Sequence, residues 1–237
     1  MIEVRHLSKQ YGNIRALQNI NFLLRRNEVV FIVGPNGAGK STLFRLLSGY
    51  LHPSSGEVLF KGQSITDSRK FLSYVGYVPE NCPLYSEMNV YEFIKFSADM
   101  HGVSRNDFDR NFAPILDKLQ LREVLTQKIE TLSKGFQRRV GIAGALIHNP
   151  EILILDEPTE GLDPNQKHQM HDLLREYSRQ RLILISSHIM EEVENIADRV
   201  LLINHGQLVW NGTPKNLANQ AEDGRIDTAF RRLTGEK

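Results

Sequence analysis

Cysteine is almost missing: the 237-residue chain holds one, Cys82. An internal disulfide is therefore impossible, and a disulfide-stapled secreted fold is excluded. Long apolar runs are missing too. The longest, counting glycine, is Val140 to Ile147, far short of the roughly 20 residues a bilayer span needs. No sign of charge dominates either, since 29 Lys+Arg face 28 Asp+Glu for a formal net charge of +1. That balance argues against the basic footprint of an electrostatic nucleic-acid binder. The start, Met1 to His6, carries Glu3 and no apolar stretch, so no secretory leader is expected. Nor does any repeat, low-complexity tract or linker interrupt the chain. What remains is 41% hydrophobic and 24% charged, the composition of a soluble, cytoplasmic, core-forming protein.

Short apolar runs alternate with helix-like stretches along most of the chain, which predicts an α/β fold. Strands are predicted at Ile20–Leu24, Glu28–Val33, Glu57–Phe60, Val75–Val78, Ile152–Leu155, Leu182–Ser186, Val200–Asn204 and Gln207–Trp210. Three of these are continuously apolar, as suits strands buried on both faces of a mostly parallel sheet. Helices are predicted near Lys40–Ser48, Val90–Met100, Asp107–Leu119, Ser133–Ile147, Pro164–Arg179 and Ile189–Ala197. The first sixty or so residues are richer in strand, and Pro83–Gln127 is almost purely helical. One domain over 1–237 is expected, with a helical subdomain at about 83–145 and a polar tail at about 219–237. In that tail Ile226, Phe230 and Leu233 stand at i, i+4 and i+7, spaced to dock on the body. His168 and His171, three apart on a predicted helix, read as a solvated face.

Directly after the apolar strand Glu28–Val33 comes Gly34-Pro35-Asn36-Gly37-Ala38-Gly39-Lys40-Ser41-Thr42. It fits the phosphate-binding pattern G-x-x-x-x-G-K-[ST] in the required strand–loop–helix setting. Glycines let backbone N–H groups close on phosphate oxygens, and the following helix adds its positive end. Lys40 supplies a charge for the terminal phosphates, and the Ser41 hydroxyl is a Mg²⁺ ligand. A second stretch, Ile152-Leu153-Ile154-Leu155-Asp156-Glu157, runs an apolar strand into two carboxylates at its carboxyl end, where such sheets bind ligands. Asp156 is the expected partner of Mg²⁺, and Glu157 the base for the attacking water.

Between these two lies Leu132-Ser133-Lys134-Gly135-Phe136-Gln137-Arg138-Arg139. Here the chain resembles the ATP-binding-cassette (ABC) ATPases, whose signature reads Leu-Ser-Gly-Gly-Gln. Ser133 and Gly135 match, while Lys134 and Phe136 depart. The resemblance implies a P-loop NTPase fold with an N-terminal antiparallel β subdomain and the helical insertion. By it, Ser133 and Gly135 touch the γ-phosphate of ATP bound to an opposite protomer. On the residues alone, Ser133 is a helix N-cap, and Phe136, Val140, Ala143 and Ile147 form a core stripe. The two readings use different faces of one helix.

Further matches extend the resemblance over nearly the whole chain. Tyr11 looks like the aromatic that stacks on adenine, though a packing role is open to it as well. Glu160-Gly161-Leu162-Asp163 resembles the loop that crosses the dimer interface. His188, after Ser186-Ser187, looks like the switch histidine that senses the γ-phosphate. Glu80, in Tyr77-Val78-Pro79-Glu80, stands where most members carry glutamine. A carboxylate there strengthens metal binding and repels phosphates, two opposed effects. Pro79–Tyr85 and Leu132–Phe136 together look like exporter-type cassettes with separately encoded membrane subunits, and gliding-motility and copper-site-maturation members share that look.

The resemblance thus implies an ATPase with ATP and Mg²⁺ as cofactors, acting as a head-to-tail homodimer. An integral membrane permease would be its partner, holding it at the cytoplasmic face of the membrane. The apolar residues of Leu84–Phe96 divide between core and a groove for a short helix of that permease. A soluble cassette serving nucleic acid or ribosomes is the alternative. Such proteins usually carry two cassettes or a long coiled-coil insertion, and neither is in this sequence. A regulatory module that does not hydrolyse ATP is a third reading, opposed by the intact Lys40, Asp156, Glu157 and His188.

Overall fold

The computed structural model describes residues 1–66 and 68–235. The last two positions of the tail expected at 219–237 lie outside the described residues. Strand β1 (Ile2–Tyr11) forms a hairpin with β2 (Ile14–Leu24), and β4 (Ser55–Phe60) and β5 (Gln63–Ser64) extend the same antiparallel sheet in the order β2-β1-β4-β5. The larger sheet also contains β3 (Glu28–Val33), β6 (Val75–Val78), β7 (Ile152–Asp156), β8 (Leu182–Ser186), β9 (Arg199–Asn204) and β10 (Gln207–Gly212). Its order is β10-β9-β3-β8-β7-β6, parallel throughout except for β10. The fold class expected from the sequence is the one observed.

Both faces of the larger sheet are covered, which is why its central strands are apolar without alternation. Val29, Phe31, Leu153, Leu155, Ile183 and Ile185 face one core, shared with the helical insertion. Their neighbours Val30, Ile32, Ile152, Ile154, Leu182 and Leu184 face the other, shared with the antiparallel sheet and helix α1 (Lys40–Leu47). The insertion holds α2 (Val90–Met100), α3 (Arg105–Lys118) and α4 (Lys134–Leu146). A capping box starts α2: the Glu92 N–H donates to Asn89 Oδ1 and the Asn89 N–H to Glu92 Oε2, both at 2.9 Å. Gly76 in β6 lets α4 close on the sheet, since a Cβ there would stand 2.3 Å from the Ala145 carbonyl oxygen. Helix α5 (Pro164–Ser178) begins with the Asp163/Gln166 capping box and Pro164 that its sequence predicts. The chain ends through α6 (Met190–Ile196), α7 (Pro214–Ala218) and α8 (Ile226–Thr234).

Two expectations need correction. Strand begins at Ile2, not Ile20, because apolar positions 2, 4 and 7 break the two-residue period. The pairing shifts register between Val4 and Leu7, and His6 adopts a left-handed φ of 47°, so a bulge restores the inward face. His171 is not solvated. It is 9% exposed on the inner side of α5, where burial lowers its pKa, whereas His168 is exposed beside Asp172.

Candidate active site

Strand β3 delivers its buried end, Val33, into the glycine loop, and α1 starts directly after it. Gly39 is the N-cap with a φ of 110° and offers no side-chain cap to the first turn, which leaves helix N–H groups for an anion. Any side chain at Gly39 would strike β2, since a Cβ there would lie 2.6 Å from the Ala16 carbonyl oxygen. The Lys40 ammonium donates to the carbonyls of Gly34 at 2.7 Å and Pro35 at 3.1 Å, so it stands across the mouth of the loop.

Strands β7 and β8 run side by side, β7 ending in the acidic pair and β8 two residues before His188. Asp156 is 3% exposed, and Ser186 Oγ donates to its Oδ1 at 2.5 Å. The Glu157 N–H donates to the same Ser186 Oγ at 2.8 Å. Glu157 sits at a left-handed φ of 50°, a conformation that costs a non-glycine residue about 1–2 kcal/mol. His188 Nδ1 lies 3.1 Å from Glu157 Oε2. Burial pushes the Glu157 carboxyl above its ordinary range, while His188 and Lys40 pull it back and Asp156 adds to the rise. The loop before His188 is pinned by Glu192, 3% exposed, which accepts from Ser187 Oγ at 2.9 Å and Thr159 Oγ1 at 2.8 Å.

One cavity of about 890 Å³ collects Gly34, Pro35, Asn36, Gly37, Gly39, Lys40, Ser41, Thr42, Glu80, Asp156, Glu157 and His188. Four other sequence candidates stand elsewhere. Ala38 is buried behind the loop. Tyr11 is 43% exposed at the β1–β2 turn, with Lys9 Nζ 5.3 Å from its ring centroid; Ile14 and Arg15 line the cavity instead. Ser133 and Gly135 stand at the start of α4 and do not line the cavity. The Ser133 hydroxyl caps the helix through the Phe136 N–H, and Gly135 abuts Leu162 of the loop after the acidic pair and Gln166 in the first turn of α5.

Residues outside the recognised motifs join the site. Phe230 of α8 lines the same cavity beside His205 and Gly206. Helix α8 reaches it because Ile226 and Ala229 are buried and the Asn204 amide donates to the Thr234 carbonyl at 3.1 Å. The i, i+4, i+7 stripe was the only signal for this docking, and it carried no hint of the cavity. Arg138 is 6% exposed and reaches Pro79, Asp156 and Glu157 at once. Its partners are main-chain oxygens, which no side-chain pattern encodes.

A second concavity, about 600 Å³, opens between β6 and the insertion. Its rim carries exposed Tyr50, Tyr85 and Met100, and its wall Tyr77, Leu84 and Phe96. Of the apolar Leu84–Phe96 stretch, Val90, Phe93 and Ile94 are core, whereas Tyr85 stacks edge-on against Phe96 at this rim. His148 and His101 stack in its floor, ring centroids 3.7 Å apart, with His148 Nε2 3.1 Å from the Val75 carbonyl. Burial, with His101 alongside, pushes His148 down to about 4. A histidine held neutral in the fold gives stability that is complete above its unfolded value of about 6.5 and is lost as pH falls through 4. The melting temperature of the ligand-free chain is expected to fall over that window, and a His148→Gln variant to show a shallower fall. Identical pH profiles would exclude His148 as the cause.

A glycine loop, a paired carboxylate and a histidine gathered at the carboxyl ends of parallel strands define a P-loop nucleotide-binding protein. Comparison with known proteins gives the family. The ABC transporter family model matches residues 17–160, and the chain belongs to that family. Relatives include the lantibiotic transport ATP-binding protein SrtF of Streptococcus pyogenes, 36% identical over 88% of this chain and 89% of that protein. A solved ATP-binding subunit of an ABC transporter superposes with a TM-score of 0.91 at 29% identity, covering 99% of both chains. The dimeric bacterial cassette MJ0796 superposes at 0.81 with 25% identity, over 90% of this chain and 99% of that one. No helix among the described residues is long and apolar enough to cross a membrane.

Proposed function

We propose that the chain hydrolyses ATP as the motor subunit of an exporter-type ABC transporter, working as a two-fold pair on a separately encoded membrane permease. The observation that carries this is the single cavity holding Lys40, Asp156, Glu157 and His188 together, while Ser133 and Gly135 at the start of α4 do not line it. Such an arrangement leaves each site without its signature residues until a second copy supplies them. The relative named for lantibiotic transport supports the exporter reading, and the dimeric cassette supports the pairing. Placement beside gliding-motility and copper-site-maturation cassettes rests on Pro79–Tyr85 and Leu132–Phe136 alone. The workplace is the cytoplasmic face of the membrane.

In this reading the loop amides and Lys40 bind the β- and γ-phosphates. The Ser41 hydroxyl and the buried Asp156 carboxylate are hard oxygen donors on one cavity, suited to Mg²⁺, which keeps few protein ligands and takes the rest from phosphate and water. Bound there, the ion would neutralise charge on the transferred phosphoryl group. Glu157 accepts a proton from the attacking water, His188 orients Glu157 and meets the γ-phosphate, and Glu80 stands at the cavity wall. Phe230 flanks the nucleotide. A Phe230→Ala variant is expected to raise the ATP Kd about 3–10-fold, as loss of one aromatic contact implies, and to leave tripolyphosphate binding unchanged. Equal weakening of both ligands would move Phe230 away from the nucleoside.

The groove beside Tyr85 is the proposed seat of a short permease helix. A Tyr85→Asp variant should lose transport and co-purification with the membrane subunit while the isolated chain keeps its ATPase rate. Parallel loss of both activities would mark a folding defect and count against the groove.

A further inference from the structure

We infer that Arg138 is a positioning residue that ties the start of α4 to Glu157; this rests on the ATPase reading of the cavity. One buried guanidinium donates to three main-chain oxygens from two separate segments. Its Nη1 donates to the Pro79 carbonyl at 2.8 Å. Its Nη2 donates to the Asp156 carbonyl at 2.9 Å and to the Glu157 carbonyl at 2.5 Å. Main-chain partners mean that Arg138 fixes the path of the backbone at the end of β7, not the pose of a side chain.

That path is the unusual one. Glu157 is left-handed at φ 50°, and its N–H is held from the other side by Ser186 Oγ at 2.8 Å. With the N–H on Ser186 and the carbonyl on Arg138, the Glu157 backbone is clamped at both ends. The carboxylate is thereby aimed at His188, 3.1 Å away. Without the guanidinium, the Asp156 and Glu157 carbonyls lose this donor, the Glu157 carbonyl keeps only the longer 3.3 Å bond from the Glu160 N–H, and the residue is freer to relax toward the common right-handed region. The carboxylate would swing with it.

Arg138 lies five residues after Ser133, about 7.5 Å along the helix. Its other partner, Pro79, directly precedes Glu80, which lines the cavity. One side chain therefore joins the helix start that would meet the second copy, the Glu80 segment and the catalytic carboxylate. A displacement at Ser133 and Gly135 would reach Glu157 through this fork. The planar guanidinium suits the task, because a lysine ammonium is a point donor that cannot span both segments in fixed geometry.

The test uses the purified full chain with ATP and Mg²⁺. Arg138→Gln is expected to hold the ATP Kd and KM within about threefold while kcat falls about 10–100-fold, the scale of a small misplacement of a catalytic group. Arg138→Lys should recover part of that loss. In a Glu157→Gln background, Arg138→Gln should change the residual turnover less than about twofold, because residues acting through one another are not additive. The proposal is overturned by a kcat within twofold of wild type, by full additivity with Glu157→Gln, or by a raised Kd together with lowered kcat and melting temperature in both Arg138 variants. If Arg138→Gln fails to fold, Arg138→Lys decides alone: reduced kcat at unchanged Kd and melting temperature supports the clamp, and unchanged kcat refutes it. A wild-type chain that does not hydrolyse ATP would instead sink the ATPase reading itself, and this inference with it.

Discussion

Glu157→Gln is expected to bind ATP within about threefold of wild type while hydrolysing it about 10²–10⁴-fold more slowly, the range for removal of a general base. Glutamine keeps the size and reach of the side chain. It also keeps the backbone bonds that hold position 157, which come from Ser186 and Arg138 and not from the carboxylate. What it loses is the proton acceptor. Steady-state ATPase rates alongside a fluorescent-nucleotide titration would check both halves. Hydrolysis within a few-fold of wild type would remove Glu157 from the base role. The pH dependence offers an independent reading. Burial raises the Glu157 pKa and His188 lowers it, so a His188→Ala variant should push it further up. Since the ionised form is the active one, the acid limb of the rate profile would move to higher pH.

The parts of this site that the sequence displays are those built from neighbours along the chain. Gly34 to Thr42 needs no tertiary contact to be recognised, because one turn of backbone makes the anion cradle. Asp156 and Glu157 announce themselves by following four apolar residues on a buried strand. Other parts come from the fold alone. Arg138 meets the carbonyls of Pro79 and Asp156, and carbonyls are common to every residue, so its role leaves no trace in residue type. Phe230 reaches the cavity only because α8 packs back beside β9. Tyr11 shows the reverse: its place in the chain fits an adenine-stacking aromatic, yet Ile14 and Arg15 form the adjoining wall. In β1 register shifts, the first of them at His6, hid a ten-residue strand, since a shift of one residue reverses the inward face.

Gly135→Asp should leave ATP binding by the isolated chain within about threefold and cut turnover by about 10²-fold or more. A carboxylate in the first turn of α4 favours the helix itself, because its N-terminus is electropositive. The added Cβ would sit 3.1 Å from both Leu162 Cδ2 and Gln166 Oε1, contacts that a slight shift of those side chains can relieve. The fold is therefore expected to survive, and the penalty falls on any phosphate approaching from a second copy. Because Gly135 is not on its own chain's cavity wall, the deficit should be repaired in trans. Lys40→Ala alone should be equally inactive, for want of the charge on the phosphates. In a dimer of one Gly135→Asp and one Lys40→Ala chain, the first supplies an intact phosphate loop and the second an intact signature, which gives one competent site. Equal mixing makes about half of the dimers mixed, so about a quarter of wild-type activity per chain should return. A mixture that stays inactive, although mixed dimers form, would mean that Gly135 serves its own chain's site and would dissolve the head-to-tail arrangement.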